Sequence, residues 1–247
     1  MMSIYIYLLC NNESAILRAT VEHYRRRFPN SIITILDNES TDASPYIARE
    51  MGCIVMPIYT QQIMNEFVQT QLKNTIWNQC PANSWIIMAD MDEWLNISME
   101  DIVYEVTQGT TILSVKGFNM VGQSKKTDLS DIDIHLICRG YEYEREDKNI
   151  CFSFDAIREM NYSYGAHLCA PVAHNGYMVR FSQKIYSLKH MAYLGREYYI
   201  ARLKHRRIRA ETFAREYGLN LHYCISEDEA GNDFQKSADN ATFLRIH

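Results

Sequence analysis

The chain is 247 residues long, 47% apolar and 22% charged, with a formal net charge of −5. That composition supports one sizeable core and excludes a disordered chain and a broadly basic nucleic-acid binder. No stretch approaches the roughly 18 uninterrupted apolar residues of a membrane-spanning helix. The seven cysteines (Cys10, Cys53, Cys80, Cys138, Cys151, Cys169, Cys224) are odd in number and have no metal-type spacing. Free thiols in a reducing, cytoplasmic compartment are therefore expected, with a peripheral membrane contact left open.

The first part alternates strand and helix. Ile4 to Cys10 reads as a buried strand, and Asn11-Asn12-Glu13-Ser14 offers capping residues for a helix with Leu17, Val21, Tyr24 and Phe28 on one face. Ile32 to Leu36 is a second strand that stops at Asp37-Asn38-Glu39-Ser40-Thr41-Asp42. A short helix from Ser44 ends at Gly52, Cys53 to Met56 is a third strand, and residues 61–79 read as a helix carrying Val68, Leu72 and Ile76. Trp85 to Met88 is a fourth strand, running into Asp90-Met91-Asp92-Glu93-Trp94. This alternation predicts an α/β fold with parallel pairing, in which ligands sit at the carboxyl ends of the strands. The polar clusters fall at those ends.

The second part reads differently. Strands are expected at 110–118, 132–138, Ile150 to Phe154 and Ile185 to Leu188, with a charged loop at 141–148. Asp155 reads as the cap of a short helix, Ala156 to Glu159. A basic helix is expected from Gly195 to Tyr217.

Asp90 and Asp92 stand two residues apart, so in extended backbone both carboxylates face one side. Such a pair suits a hard divalent cation that keeps water and phosphate ligands, although acidic residues also simply solvate strand ends. Asp37 and Asp42 either cap and close a turn or accept hydrogen bonds from a nucleoside. His190 and His167 each read as a structural histidine or as a ligand. The run Arg202-Leu203-Lys204-His205-Arg206-Arg207-Ile208-Arg209 is either a solvated face or a contact to a diphosphate or an anionic acceptor.

These segments, with Asp147-Lys148, Gly165-Ala166-His167 and Leu188-Lys189-His190, follow one another in an order that resembles the family 2-like glycosyltransferases of the GT-A fold, in the branch similar to family 92. The resemblance runs from around Tyr5 to around Tyr223. It implies one GT-A domain over 1–247, with a nucleotide-sugar-binding half near 1–95 and an acceptor half with C-terminal helices near 96–247. It also implies a nucleotide-sugar donor, commonly a UDP-sugar, a Mn²⁺ or Mg²⁺ ion, a carbohydrate or glycoconjugate acceptor, and inversion at the anomeric carbon.

On the same resemblance, Asn12, Glu13, Asp37, Asn38 and Asp42 surround the nucleoside, and Asp90 faces ribose and metal. Asp92 and His190 ligate the metal, and His167 faces the diphosphate or acceptor as a catalytic residue. The acceptor's base is left open among Glu144, Glu146, Asp155 and Glu159. A nucleotidyltransferase is the rival enzyme, against which stands the lack of any glycine before Gly52. A binding protein without turnover is the other alternative. Tyr141, Tyr143, Tyr162, Tyr164, Tyr198 and Tyr199 are expected either to stack on sugar rings or to fill the core.

Overall fold

The alternating segments of the first part form a parallel sheet in the computed structural model, which describes residues 2–244. In chain order the elements are β1 (Ser3–Cys10), α1 (Ser14–Arg27), β2 (Ile32–Asp37), α2 (Ser44–Glu50), β3 (Ile54–Pro57), α3 (Glu66–Thr75), β4 (Ser84–Asp90), β5 (Glu93–Asn96) and α4 (Met99–Thr107). There follow β6 (Ile112–Ser124), β7 (Arg139–Glu142), β8 (Cys151–Ser153), β9 (Ile157–Glu159), β10 (Val172–Ala173), β11 (Phe181–Gly195), α5 (Arg196–Tyr217), α6 (Glu227–Asn240) and β12 (Thr242–Phe243).

Strands β4, β1, β2 and β3 lie side by side and parallel. From β1 the chain moves to β2 on one side and later returns as β4 on the other, so the strand order reverses between β1 and β4. Open α/β sheets bind their ligands at such a reversal. β8 pairs antiparallel with both β4 and β6, and β6 runs parallel to β11. The expected architecture, a mainly parallel half continued into a mixed one, is the one the chain adopts.

Period-two alternation in β1 serves both faces of the sheet. Ile4, Ile6 and Leu8 pack with Ile16, Leu17, Val21 and Tyr24 of α1, whereas Tyr7 packs with Trp77 and Ile86 on the opposite face. The stripe Leu17, Val21, Tyr24 and Phe28 is fully buried, as its spacing predicts. Among the described residues no helix is long and apolar enough to cross a membrane.

Four segments differ from expectation. The helix expected over 61–79 begins only at Glu66. Glu39 Oε2 accepts hydrogen bonds from Thr60 N (2.9 Å) and Gln62 N (2.7 Å), and Gln61 and Gln62 hold left-handed φ, so a turn precedes it. Asn65 Oδ1 then caps the helix through Phe67 N and Val68 N, both at 3.1 Å. Asn65→Ala is expected to cost about 1 kcal/mol, read as a lower urea midpoint at unchanged slope; an unmoved midpoint contradicts the cap.

Residues 132–138 are not a strand. Asp133 Oδ1 accepts from His135 N (2.9 Å) and winds a 3₁₀ turn over Ile134–Leu136. The strand forms one step later as β7, reaching two residues into the segment 141–148 expected to be a loop, because there it pairs with both β6 and β12. Asp155 caps no helix: its Oδ2 accepts from Asn83 N at 2.7 Å, and the chain turns into β9.

Candidate functional site

Asp90 is the last residue of β4, and Met91 N donates to Leu9 O of β1 (3.0 Å). Met91 is buried, and its carbonyl accepts from Thr20 Oγ1 of α1 (2.9 Å), which in turn accepts from Trp94 Nε1 (2.8 Å). Tyr24 Oη donates to Glu93 O (2.7 Å). Helix α1 thus pins a turn at Met91-Asp92, directly beside the β1–β4 reversal. The backbone turns there instead of staying extended, yet both aspartates border one cavity.

The carboxylates meet different cations. Asp90 Oδ1 lies 2.6 Å from Lys73 Nζ of α3, and its Oδ2 lies 3.9 Å from Lys148 Nζ. Burial opposes ionisation of Asp90, but the two lysines hold its carboxyl below the usual range. Asp92, 2% exposed, has Oδ2 2.7 Å from Arg202 Nη1, 3.1 Å from His190 Nε2 and 3.6 Å from Arg206 Nη2. Against its burial, Arg202 and then His190 hold its carboxyl well below the usual range. Arg202 also grips Glu13, with Nη2 2.6 Å and Nε 3.1 Å from Glu13 Oε1.

His190 arrives by strand register. β11 lies between β5 and β6, which sets His190 opposite Glu93 on one side and Asn119 on the other. Nδ1 is 2.7 Å from Asn119 Oδ1, and Glu146 Oε1 is 3.6 Å from the same nitrogen. Burial disfavours the imidazolium, but Glu146 and Asp92 beside it raise its pKa overall.

Two cavities open at this end of the sheet. One, of about 530 Å³, is bordered by Glu13, Asn38, Lys73, Asp90, Asp92 and Arg209. The other, of about 570 Å³, is bordered by Asn119, Tyr143, His190, Tyr193, Asp233 and Lys236. Glu146, His167, Arg206, His222 and Tyr223 border both. His167 stands in this shared wall, its Nδ1 2.5 Å from Arg145 O.

Of the residues expected at a nucleoside, Glu13 and Asn38 border the first cavity; Asn12, Asp37 and Asp42 do not. Asn12 Oδ1 accepts from Thr41 N (2.6 Å) and Asp42 N (3.1 Å), stitching the β1 loop to the β2 loop. Asp42 accepts from Ser14 N (3.0 Å) and Ser44 N (2.9 Å) at the starts of α1 and α2, which is its turn-closing reading. Asp37 Oδ1 accepts from Ser40 N at 3.3 Å. Among the tyrosines, Tyr162, Tyr198 and Tyr199 are buried and Tyr143 and Tyr164 are exposed.

The four base candidates separate clearly. Glu144 and Glu159 are exposed, and Asp155 is engaged at the far end of the sheet. Glu146 is buried in the wall between the cavities. Its Oε2 lies 3.1 Å from Lys148 Nζ, yet no hydrogen bond is directed onto it. Gly117 permits this placement, since a Cβ there would collide with the Glu146 backbone. Of the cations, Lys148 and Arg202 lie in segments the sequence singled out, whereas Lys73 had no distinct sequence signal as a site residue. Lys73 sits one residue past Leu72 on the apolar stripe of α3, and Arg202, Arg206 and Arg209 share one face of α5 by their spacing.

A divalent ion fits part of this set. Adjacent ligands of an octahedral ion bound at about 2.1 Å are separated by about 3.0 Å, and Asp92 Oδ2 and His190 Nε2 lie 3.1 Å apart. Asn119 orients the other ring nitrogen, as second-shell partners of metal-bound histidines do. Asp90 does not join the pair. Among the described residues no three His, Cys, Asp or Glu side chains are grouped to hold one ion. Asp92 and His190 thus offer two ligand atoms, and the Asp92 oxygen among them already meets Arg202 Nη1 at 2.7 Å.

No protein-family model and no curated protein matches the sequence. Solved structures with a similar course of chain include glucosyl-3-phosphoglycerate synthase from Mycobacterium tuberculosis in complex with Mn²⁺, UDP and glucosyl-3-phosphoglycerate. It is 14% identical, with 47% of this chain and 44% of that one covered and a TM-score of 0.33. Residues 1–349 of S. aureus TarS in complex with UDP-GlcNAc are 11% identical, with coverages of 84% and 66% and a TM-score of 0.45. A second structure of S. aureus TarS residues 1–349 is 11% identical, with coverages of 89% and 73% and a TM-score of 0.43. The chain thus spans under half the length of the synthase. Likenesses this distant carry no residue role across.

Proposed function

We propose that the protein is a glycosyltransferase that moves a sugar from a nucleotide-sugar, a UDP-sugar by preference, to an acceptor hydroxyl with inversion. The observation that carries this reading is the pair of cavities at the strand reversal, one walled by polar groups and cations, the other by tyrosines and polar groups, with a buried carboxylate between them. A donor in the first cavity and an acceptor in the second meet at Glu146.

In this reading Glu13 and Asn38 flank the nucleoside and Lys73 keeps Asp90 ionised beside it. Asp92 and His190 hold a Mn²⁺ or Mg²⁺ ion. Such an ion offsets charge that grows on the departing diphosphate. The acceptor oxygen bonds to the anomeric carbon as the bond from that carbon to the diphosphate oxygen breaks, and the acceptor's proton passes to Glu146. His167, in the same wall, borders the leaving group or the acceptor. Against burial, His190 and Lys148 hold the Glu146 carboxyl below its usual range, which keeps it ionised, as a proton acceptor must be.

The test is a thermal-shift screen of UDP-, GDP- and dTDP-sugars with and without Mn²⁺. A ligand at about 100 times its Kd stabilises the fold by about 2.7 kcal/mol, which moves the melting temperature by several degrees. A cognate donor that stabilises and is slowly hydrolysed supports the reading. Stabilisation without hydrolysis or transfer across the panel favours a binding protein, and release of pyrophosphate from a nucleoside triphosphate favours a nucleotidyltransferase.

A further inference from the structure

Five carboxylates (Glu13, Asp90, Asp92, Glu93, Glu146) and four permanent cations (Lys73, Lys148, Arg202, Arg206) are linked by ion pairs at the cavity wall. A diphosphate entering there needs a cation that is not already spent. Lys73 is committed to Asp90 at 2.6 Å, and Lys148 is bonded to Glu93 and lies beside Glu146 and Asp90. Arg202 takes both Glu13 and Asp92 at 2.6 and 2.7 Å, and its side chain is 8% exposed.

Arg206, one helical turn further along α5, comes second to both of those carboxylates. Its Nη2 stands 3.3 Å from Glu13 Oε1 and 3.6 Å from Asp92 Oδ2, and its Nη1 is 3.5 Å from Tyr223 Oη. The guanidinium carbon lies 5.4 Å from the Tyr223 ring centroid, a contact that holds the plane without using its N–H groups. Its side chain is 21% exposed, and it borders both cavities. A guanidinium has five N–H donors in a planar fork that matches phosphate oxygens.

We propose that Arg206 is the diphosphate-binding residue of this site, taking the two linked phosphates of the donor through the guanidinium N–H groups that its long hydrogen bonds to Glu13 (3.3 Å) and Tyr223 (3.5 Å) leave over. The proposal rests on the nucleotide-sugar reading above for the identity of the ligand, but the chemistry it names is that of any diphosphate. Arg202 is the closer partner of both Glu13 and Asp92, which leaves Arg206 the longer contacts to each. Lysine at 206 would keep the charge and lose the fork.

Calorimetric titration of the wild type, Arg206→Gln and Arg206→Lys with uridine, UDP and inorganic pyrophosphate tests it, each in EDTA and in Mn²⁺. Charge-assisted hydrogen bonds of this kind correspond to about a tenfold or greater gain in affinity. The wild type is expected to bind UDP at least about tenfold more tightly than uridine. Arg206→Gln is expected to erase that ratio while leaving uridine affinity unchanged, and Arg206→Lys to retain only part of it. A UDP-to-uridine ratio preserved in Arg206→Gln overturns the proposal. Should Arg206→Gln lose its cooperative thermal transition, Arg206→Lys decides alone, and a wild-type ratio there overturns it.

Pyrophosphate separates this proposal from the nucleotide reading. A wild type that binds pyrophosphate but neither uridine nor UDP, with pyrophosphate binding lost in Arg206→Gln, leaves Arg206 in place and removes the nucleotide. A wild type that binds none of the three overturns both.

Discussion

Glu146→Gln is expected to lower the rate of donor hydrolysis and transfer by about 10² to 10⁴, the range of a positioned general base, while UDP affinity stays near the wild-type value. The two outcomes follow from where Glu146 lies. Its carboxylate stands in the wall between the cavities, with one oxygen near His190 and the other near Lys148 without a directed hydrogen bond. Glutamine keeps the volume, so the close approach to Gly117 is preserved, but it does not accept a proton. The diphosphate's cations on α5 are untouched. Steady-state hydrolysis of the donor found in the thermal screen, measured beside UDP titration, checks both halves. A glutamine variant that turns over at the wild-type rate places the base elsewhere. A variant that loses UDP binding makes Glu146 a structural counter-ion of Lys148 rather than a base.

Asp92→Ala is expected to abolish metal-dependent donor hydrolysis and also to lower the melting temperature. Asp92 is the carboxylate that joins Arg202 to His190, and Arg202 is buried with Glu13 as its other partner. Removing one member of a buried ion pair costs about 3–5 kcal/mol, because the remaining charge stays buried. At about 2–4 °C per kcal/mol for a chain of this size, the loss amounts to roughly ten degrees. Asp92→Asn keeps the shape and one acceptor for Arg202, so it is expected to melt higher than the alanine variant and yet remain inactive. Mn²⁺ titration followed by electron paramagnetic resonance separates metal loss from unfolding. Full Mn²⁺-dependent hydrolysis in a folded Asp92→Ala protein removes Asp92 from the metal.

Local pattern carried the parallel half. The apolar run Ile4 to Cys10, the one-faced stripe from Leu17 to Phe28 and the β-branched run at Ile32 to Leu36 each state their element, since periodicities of two and of three to four are properties of consecutive residues. The polar clusters at strand ends follow from the same reading, because a parallel sheet places all such ends on one side. Glu13, Asn38, Asp90 and Asp92 at one cavity were therefore legible before any coordinates. The second half was less so. β7 forms where β6 and β12 both offer an edge, and the turn at 134–136 forms because Asp133 finds the His135 amide.

The sequence by itself determined the α/β order and the side of the sheet that bears chemistry; only the family resemblance added His190 as an expected partner of Asp92. Tertiary structure alone decided that Asp90 and Asp92 meet different cations across a turn held by Thr20, and that β11 lies between β5 and β6, bringing His190 to Asp92. It also decided that Glu146 is the buried carboxylate among four candidates and that Arg202 makes the short contacts to Glu13 and Asp92 while Arg206 makes the long ones. The reason is physical: spacing along a chain fixes which face a side chain occupies, whereas competition for a counter-charge depends on distances between groups about 50 to 190 residues apart, which only long-range packing sets.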